Sequence, residues 1–358
     1  MSERMIQNFT EMVKIPSESG NEAEFLTYLK GEFEKLGGQA EKDDYGNLIV
    51  KFPAKGCEGK EPILLSCHGD TVKPGVGIEP VLEDGVIRSK GNTILGADDK
   101  AGIAEMLEAI RTAEKYPPLE IAISREEEVG LHGVKNMDYS KLTAKKGFLL
   151  DNDELETILI GGPSYFAIDV DIQGKSAHAG MEPEKGINAI LAASKAITKM
   201  PLGRLDQEST ANVGVINGGI IRNGVPDDTH FLAECRSLNH DKGQKIADEM
   251  VKTIREEVES VGAKVDIKVN NLCKAVDIPE SSWTVQTAIQ AFKSVGIDSR
   301  ADFTTGFTDA SIYNNMGIEM AVIGIGAQAE HSVDEHIAVA DMEKALKALI
   351  EILRLSAE

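Results

Sequence analysis

The first part of the chain alternates between two hydrophobic periods. Apolar residues recur every three or four positions in some segments, as in amphipathic helices, and short apolar runs between them are typical of buried strands. The pattern predicts, in chain order, helix 25–37, strands 46–52 and 62–67, helix 101–116, and strands 119–124 and 147–151. Such alternation predicts an α/β domain with a mostly parallel sheet and helices on both faces.

The pattern changes after Ser164. Strand, helix, strand, strand, helix and strand then follow one another at 165–172, 186–198, 211–217, 230–237, 244–262 and 264–270. This βαββαβ order is that of a ferredoxin-like α+β sandwich. The α/β pattern resumes with helix 281–296, strand 320–326 and helix 340–355. We therefore expect a discontinuous α/β domain, residues 1–162 and 274–358, interrupted by a ferredoxin-like domain, residues 163–273.

Charge and cysteine content narrow the possible partners. The 358 residues carry a formal net charge of −21 without a Lys/Arg cluster, which argues against a nucleic-acid or anionic membrane surface. No apolar run reaches the roughly 20 residues that span a bilayer. The four cysteines form no CxxC pair, so neither a disulfide framework nor a thiolate zinc site is indicated. We expect a cytoplasmic protein that acts on a small molecule.

Polar side chains stand where predicted strands end or a helix begins. In open α/β sheets the carboxyl ends of the strands face the functional crevice, so these side chains should converge. They are His68, Asp70, Asp98, Asp99, Glu126, Glu127, Glu128, Asp151 and His331.

Taken singly, each of these residues has an ordinary explanation, such as a helix cap, a turn or a solvated face. Together their carboxylates would repel one another, and the sequence offers only Arg125 and Lys100 nearby as counter-charges. Divalent metal ions solve this problem, and a mixed set of imidazoles and carboxylates suits zinc, with cobalt or manganese as alternatives. Five ligands are what a two-metal site with one bridging carboxylate needs.

Nine motifs now indicate a family. The chain resembles the zinc-dependent exopeptidases that include peptidase T, aminoacylase, acetylornithine deacetylase and succinyl-diaminopimelate desuccinylase, and it is most similar to peptidase T-like proteins. The motifs, in the order and approximate spacing of that family, are CHGDTV, LGADDKAG, EEEVGLHG, LLDND, SAHAG, NGGIIRNGVPD, ECRS, TTGFTDA and AEHSVDEH.

The resemblance implies a role for each site residue. Asp98 would bridge two divalent metal ions, Glu127 would be the general base, and Asp70 would orient the ring of His68. The family also has a cis peptide after the bridging aspartate. The implied metal ligands are His68, Asp98, Glu128, Asp151 and His331.

The implied reaction is hydrolysis of an amide bond in short peptides, as in a tripeptide aminopeptidase, by a hydroxide bridging the two metals. His178 of the inserted domain would stabilise the oxyanion in the active site of the other subunit, which implies a homodimer through that domain. Arg236 and Asn223 match positions that hold the substrate, Arg236 by pairing with its carboxylate.

The residues leave two other functions open and argue against two more. An N-acyl amino acid deacylase would use the same metals and the same Glu127, and a non-catalytic metal-dependent binding protein would keep the fold without turnover. The segment GIGAQA nearly matches GxGxxA, the sequence motif of dinucleotide-binding proteins. The polar segment EHSVDEH follows it, however, where that motif requires an apolar helix. A serine hydrolase would need a GxSxG elbow, which the sequence lacks.

Overall fold

The computed structural model describes residues 2–358 and divides into two compact units. The first comprises the chain up to Gly161 together with Ile278–Glu358, and the second is Gly162–Asp277. The insert expected at residues 163–273 lies within the second unit.

Helices and strands follow one another in the expected alternation, with several short elements added. The α-helices are α1 (Ser2–Met12), α2 (Ala23–Lys35), α3 (Ala97–Thr112), α4 (His132–Lys135), α5 (Ala189–Lys199), α6 (His240–Ser260), α7 (Trp283–Ser294), α8 (Asp309–Asn315) and α9 (Val339–Ser356). The strands are β1 (Gln39–Lys42), β2 (Leu48–Phe52), β3 (Ile63–His68), β4 (Pro80–Glu83), β5 (Val86–Ser89), β6 (Leu119–Ser124), β7 (Lys146–Asn152), β8 (Thr157–Gly162), β9 (Ser164–Gln173), β10 (Gly203–Arg204), β11 (Ser209–Gly218), β12 (Asp228–Ser237), β13 (Lys264–Cys273), β14 (Val276–Asp277), β15 (Arg300–Phe303), β16 (Glu319–Gly324), β17 (Ala327–Gln328) and β18 (His336–Ala338).

The central sheet of the first unit has the strand order β1-β2-β6-β3-β7-β16-β8, with β15 beside β8. Its middle is parallel, because β6, β3, β7 and β16 run in one direction. β1 and β2 are antiparallel to their neighbours at one end, and β16 pairs with β8 in antiparallel fashion near the other. Every residue of β3 and β6 is buried, as expected for strands covered on both faces. The predicted α/β class with a mostly parallel sheet is confirmed.

Helices cover both faces of this sheet. The hydroxyl oxygen of Ser66 in β3 lies 3.1 Å from the hydroxyl oxygen of Tyr313 in α8. The next side chain, the thiol of Cys67, lies against Asp99 of α3. Successive side chains of a strand point to opposite faces, so α3 and α8 lie on opposite sides of β3. A smaller antiparallel sheet, β17-β18-β5-β4, completes the unit and frames the loop that contains His331.

The second unit is an antiparallel sheet with two helices on one face. The strand order β10-β11-β12-β9-β13 is that of a ferredoxin-like fold with one short extra strand. Side chains of β9 alternate between buried and more exposed positions, and Phe166, Ile168 and Val170 enter a core shared with α5 and α6. No helix within residues 2–358 combines the length and apolar character that a membrane crossing requires.

Candidate functional site

The predicted metal ligands lie at one edge of the first unit's sheet. β3 is parallel to both of its neighbours, β6 and β7, so the three carboxyl ends point the same way. The ligands stand at these ends, at the start of α3 and in the loop between β17 and β18: His68, Glu128, Asp151, Asp98 and His331.

Asp98 lies between the two imidazoles. Its Oδ1 is 3.0 Å from Nε2 of His68, and its Oδ2 is 3.2 Å from Nε2 of His331. A second carboxylate accompanies each ring. Asp151 Oδ1 lies 3.6 Å from His68 Nε2, and on the other side Glu128 Oε1 lies 2.9 Å from the ring of His331. The five groups therefore form two halves, each with one imidazole and one carboxylate, that share Asp98.

Asp70 holds both a ligand and the loop that carries Glu127. Nδ1 of His68 is 3.0 Å from the main-chain carbonyl of Asp70 and 3.4 Å from its Oδ1, so the expected hydrogen bond is made mainly by the main chain. The ring then presents Nε2 to the cluster. Asp70 Oδ1 accepts the backbone N–H of Glu127 at 2.9 Å, and Oδ2 accepts that of Glu128 at 3.2 Å. Asp70 thus fixes two segments of the site, the His68 ring mainly through its main-chain carbonyl and the loop at Glu127 and Glu128 through its carboxylate.

Asp99 is an additional carboxylate in the cluster. It is fully buried, and its Oδ2 accepts the backbone N–H of His68 at 3.1 Å. Candidate ligand atoms of His68, Asp99 and Asp151 lie within 4.8 Å of one another, as do those of His68, Asp98 and Glu128. Asp98 is better placed to bridge, because its two oxygens face different imidazoles. The Asp98–Asp99 peptide is cis, as the resemblance implied.

The carboxylates of the cluster raise the pKa of both histidines, His68 and His331. Hydrogen bonds that the His331 ring donates to the carboxylates of Asp98 and Glu128 raise the pKa of His331 to about 10. Burial lowers the pKa of His68, but the neighbouring carboxylates, led by Asp98, outweigh burial and hold that pKa well above its usual value. The carboxylates of the cluster therefore favour positive charge at both imidazoles.

Burial disfavours the charged form of two other carboxyl groups, those of Asp151 and Glu127. Burial raises the pKa of Asp151 to about 6, even though His68 opposes the shift. Burial also raises the pKa of Glu127 well above its usual value, and the neighbouring carboxylate of Asp151 adds to this effect. These groups favour the neutral form unless further positive charge is supplied.

Arg125 and Lys100, the only candidate counter-charges that the sequence offered, do not supply that charge. Arg125 Nη2 lies 2.8 Å from Oε2 of Glu22, and Lys100 Nζ donates to the main-chain carbonyl of Ile15 at 2.8 Å. Lys100 also lies over the ring of Phe25. A cation in a buried position must satisfy its donors with nearby acceptors, and these acceptors lie outside the metal-ligand cluster.

The residues therefore fit a pair of divalent metal ions. Two donors held by one tetrahedral zinc at about 2.0–2.1 Å are themselves about 3.3 Å apart. The four donor pairs around Asp98 are 2.9, 3.0, 3.2 and 3.6 Å apart, close to this value. Two imidazoles with carboxylates are also a donor set that zinc accepts.

The loop that carries Glu127 is held by Glu22, a residue distant from it in sequence. Glu22 is fully buried, and its Oε1 accepts the backbone N–H groups of Gly20 at 2.7 Å and Glu126 at 3.2 Å. The loop also closes on itself, since the N–H of Gly133 donates to the carbonyl of Arg125 at 2.8 Å. The carboxylate of Glu126 accepts a hydrogen bond from the hydroxyl of Tyr45. Glu126 is thus engaged by Tyr45, whereas the general base is expected at the next residue, Glu127.

His178 and Asn223 lie side by side in the second unit. The backbone N–H of Ala179 donates to the carbonyl of Asn223 at 3.0 Å. Nδ1 of His178 accepts the N–H groups of Gly180 and Met181, both at 3.2 Å, so the proton of the neutral ring belongs on Nε2. The exposed His178 ring is thus a hydrogen-bond donor at its outer nitrogen.

Arg236 stands elsewhere in the same unit. Arg236 is the second-last residue of β12, about 26 Å along the strand from the first residue, Asp228, at 3.3 Å per residue, and Asn223 lies in the loop that precedes Asp228. The guanidinium of Arg236 pairs with Glu234 through two contacts of 3.1 Å and lies 4.7 Å from the ring centre of Tyr165. The second unit therefore presents the predicted substrate-binding residues at two separate places.

Several polar residues that support the site were not singled out from the sequence. Asp309 and Glu335 lie inside quoted motifs, TTGFTDA and AEHSVDEH, so a signal for them was present. Asp309 is buried and accepts a hydrogen bond from Ser124 at the end of β6. Glu22 has no local motif, because its partners come from a distant loop.

Comparisons with known proteins identify similar chains and a matching domain model. The family model for the peptidase dimerisation domain of M20 peptidases matches residues 163–261. The uncharacterised protein YqjE of Bacillus subtilis is 36% identical over 368 residues, which cover 99% of each chain. The crystal structure of aminopeptidase PepT from Bacillus cereus is 36% identical, with a TM-score of 0.92 over 100% of this chain and 99% of that one. A tripeptidase from Staphylococcus aureus is 30% identical, with a TM-score of 0.95 over the same shares.

These similarities extend over both units, and they confirm the resemblance that the motifs indicated. The chain therefore belongs to the peptidase T-like M20 family.

Proposed function

We propose that this protein is a metal-dependent aminopeptidase that hydrolyses short peptides, with tripeptides as its substrates. The observation that carries the proposal is Asp98 between two imidazole–carboxylate pairs. The similarity to an aminopeptidase PepT and to a tripeptidase over nearly the whole chain supports the same reaction.

Two zinc ions are the proposed cofactors, with cobalt or manganese as substitutes. His68 and Asp151 would hold one ion, His331 and Glu128 would hold the other, and Asp98 would contact both. When bound, such ions lower the pKa of a water molecule and polarise the scissile carbonyl.

Glu127 is the proposed general base. Its backbone N–H is held by Asp70 at 2.9 Å, and its half-buried side chain follows the end of β6 at the edge of the metal-ligand cluster. Its carboxylate would accept a proton from the attacking water and then deliver that proton to the leaving amine nitrogen. Asp70 acts by positioning, because it holds the His68 ring as well as the main chain at Glu127 and Glu128.

His178 is the proposed donor to the oxyanion that forms on the scissile carbonyl. The support is its tautomer, since Nδ1 accepts two backbone hydrogen bonds and Nε2 is left to donate. We propose that His178 serves the site of a second subunit, with Asn223 beside it holding the substrate. Arg236, through its guanidinium, would pair with the substrate carboxylate.

A homodimer through the second unit is part of the proposal. β10 pairs only with Thr210 and Ala211, so within residues 2–358 the outer edge of β11 over 212–218, the β11 edge, has no strand partner. Exposed apolar side chains accompany it, among them Ile216 at 49% exposure and Leu191 on the adjoining α5. An open apolar edge is a template for pairing with another strand, and the matched family model describes a dimerisation domain.

Hydrolysis of a small panel tests the substrate class. Purified protein with added zinc, cobalt or manganese is offered di- and tripeptides and N-acyl amino acids, against a chelated control. Chelator-sensitive release of the N-terminal residue from tripeptides is expected. Preference for N-acyl amino acids would replace the proposal by a deacylase, and metal binding without turnover would favour a binding protein.

Subunit mixing tests the role of His178. The His178→Ala and Glu127→Ala proteins should each be inactive, and a mixed dimer should regain activity because one site would receive both an intact Glu127 and an intact His178. Failure of exchanged, mixed dimers to regain activity would contradict the role across the dimer.

A further inference from the structure

Glu335 is a buried carboxylate that binds the main chain at Asp98. It is only 2% exposed, and its Oε2 accepts the N–H groups of Leu95 and Gly96, both at 2.7 Å. Its Oε1 accepts the N–H groups of Ala97 at 2.7 Å and Asp98 at 3.1 Å. Four consecutive backbone donors thus converge on one side chain.

The local backbone explains how four donors can face one carboxylate. Gly96 has φ +71°, a left-handed conformation that glycine adopts without strain, and it turns the chain into α3. The first N–H groups of a helix have no partner within the helix, and the helix dipole favours negative charge there. Glu335 satisfies these donors from a position 237 residues away from Asp98.

Glu335 also belongs to the loop that carries the second imidazole. The backbone N–H of Glu335 donates to the carbonyl of Ser332 at 3.2 Å, so the segment from His331 to Glu335 is a tight turn. His331 itself has φ +60°. The Glu335 carboxylate therefore joins this turn to the main chain of Asp98, and Nε2 of His331 lies 3.2 Å from Asp98 Oδ2.

We propose that Glu335 is a positioning residue that sets Asp98 between the two imidazoles and thereby determines metal affinity. This inference rests on the proposed function, since it assigns Asp98 to two metal ions. Residues that orient ligands without touching the metal typically change affinity by about 10- to 100-fold when they are replaced.

Three variants separate positioning from loss of charge. Glu335→Gln keeps the size of the side chain but turns an NH2 group toward two N–H donors, so half of the contacts become repulsive. Glu335→Asp keeps the charge and shortens the side chain by one methylene. Asp334→Asn is the matched control, because Asp334 is the exposed neighbour in the same loop and loses the same charge.

The experiment measures Co²⁺ binding to the metal-free full-length proteins, by absorption titration and competition with a chelator of known affinity. Glu335→Gln should raise the dissociation constant about 10- to 100-fold and alter the Co²⁺ spectrum, Glu335→Asp should fall between it and wild type, and Asp334→Asn should stay within about 3-fold. Unchanged affinity and spectrum in Glu335→Gln, even with a lowered unfolding temperature, would overturn the proposal and leave a merely structural role.

Two further outcomes are decisive. If Glu335→Gln does not fold, Glu335→Asp decides, and wild-type affinity in that folded variant would overturn the proposal. Tripeptide turnover is measured on the same samples. Its absence in wild type with bound Co²⁺ would refute the proposed function, while the ratio of dissociation constants would still test Glu335.

Discussion

A methyl group added at Gly133 should displace the loop that carries Glu127. A Cβ at this position would lie 2.2 Å from the carbonyl oxygen of Arg125 and 2.4 Å from its backbone nitrogen. Cβ atoms essentially never approach other heavy atoms closer than 3.0 Å, so the main chain at Arg125 must move by about 0.8 Å. Neither atom belongs to a flexible side chain that could turn away.

The size of the effect follows from that displacement. Overpacking of this kind typically costs about 1–3 kcal/mol of stability. Arg125 precedes Glu127 by two residues, and misplacement of a catalytic group by about 1 Å can cost about 10²-fold in rate. We therefore expect Gly133→Ala to lower kcat/KM for a tripeptide by about 100-fold, with most of the loss in kcat.

Gly31→Ala is the matched control for this prediction. Gly31 lies inside α2 with no atom within 4 Å of an added Cβ, so alanine there should stabilise the protein by about 0.5–1 kcal/mol and leave kcat/KM unchanged. The assays are urea unfolding and steady-state tripeptide hydrolysis at saturating metal. Wild-type stability and kcat/KM in Gly133→Ala would refute the packing argument for this loop.

Two further predictions concern the support of the loop and the dimer. Glu22→Ala leaves the side chain of Arg125, only 21% exposed, without its carboxylate partner, and should lower the free energy of unfolding by about 3–5 kcal/mol in urea titrations. Glu182→Ala, in an exposed pair with Lys185, should change it by less than about 0.5 kcal/mol, and equal effects of the two substitutions would contradict the argument from burial. Ile216→Lys should convert the proposed homodimer to monomer in sedimentation experiments, because it places a charge at the β11 edge, whereas Val269→Lys on the opposite edge strand, β13, should leave the proposed dimer intact. Dissociation by Val269→Lys alone would place the interface on the other edge.

The elements that the sequence predicted are those with a strong apolar pattern. β3 and β6 are uniformly buried, and α9 repeats apolar residues along one face, so burial and sequence agree. β1 and β4 were not predicted, because their residues are mostly exposed and pairing with a neighbour makes them strands. Such strands owe their conformation to the sheet around them rather than to their own side chains.

The start of α3 combines a local signal with tertiary contacts. The apolar pattern predicts a helix over 101–116 with Asp98 and Asp99 at its start, and α3 begins at Ala97. Asp98 and Asp99 themselves depart from helical dihedral angles. Glu335 supplies acceptors for the N–H groups there, and no local pattern reveals a partner so far along the chain.

The site, too, was predictable from the sequence only in part. The rule that strand ends converge suffices to bring His68 and Asp151 together, and the resemblance adds the roles of Asp98 and Glu127. The shortage of positive charge in the cluster was predicted, together with the divalent metal ions that would supply it. The partners of Arg125 and Lys100 were not predicted, because only the folded chain brings those groups near.

The most direct test of the account compares wild type with Glu127→Gln. Both proteins are loaded with zinc, and metal content and tripeptide turnover are measured on the same samples. The account predicts equal zinc in both proteins and a loss of turnover of about 10²–10⁴-fold in Glu127→Gln, since the variant keeps every proposed ligand and removes the base. Wild-type turnover in the zinc-loaded variant would contradict the central claim.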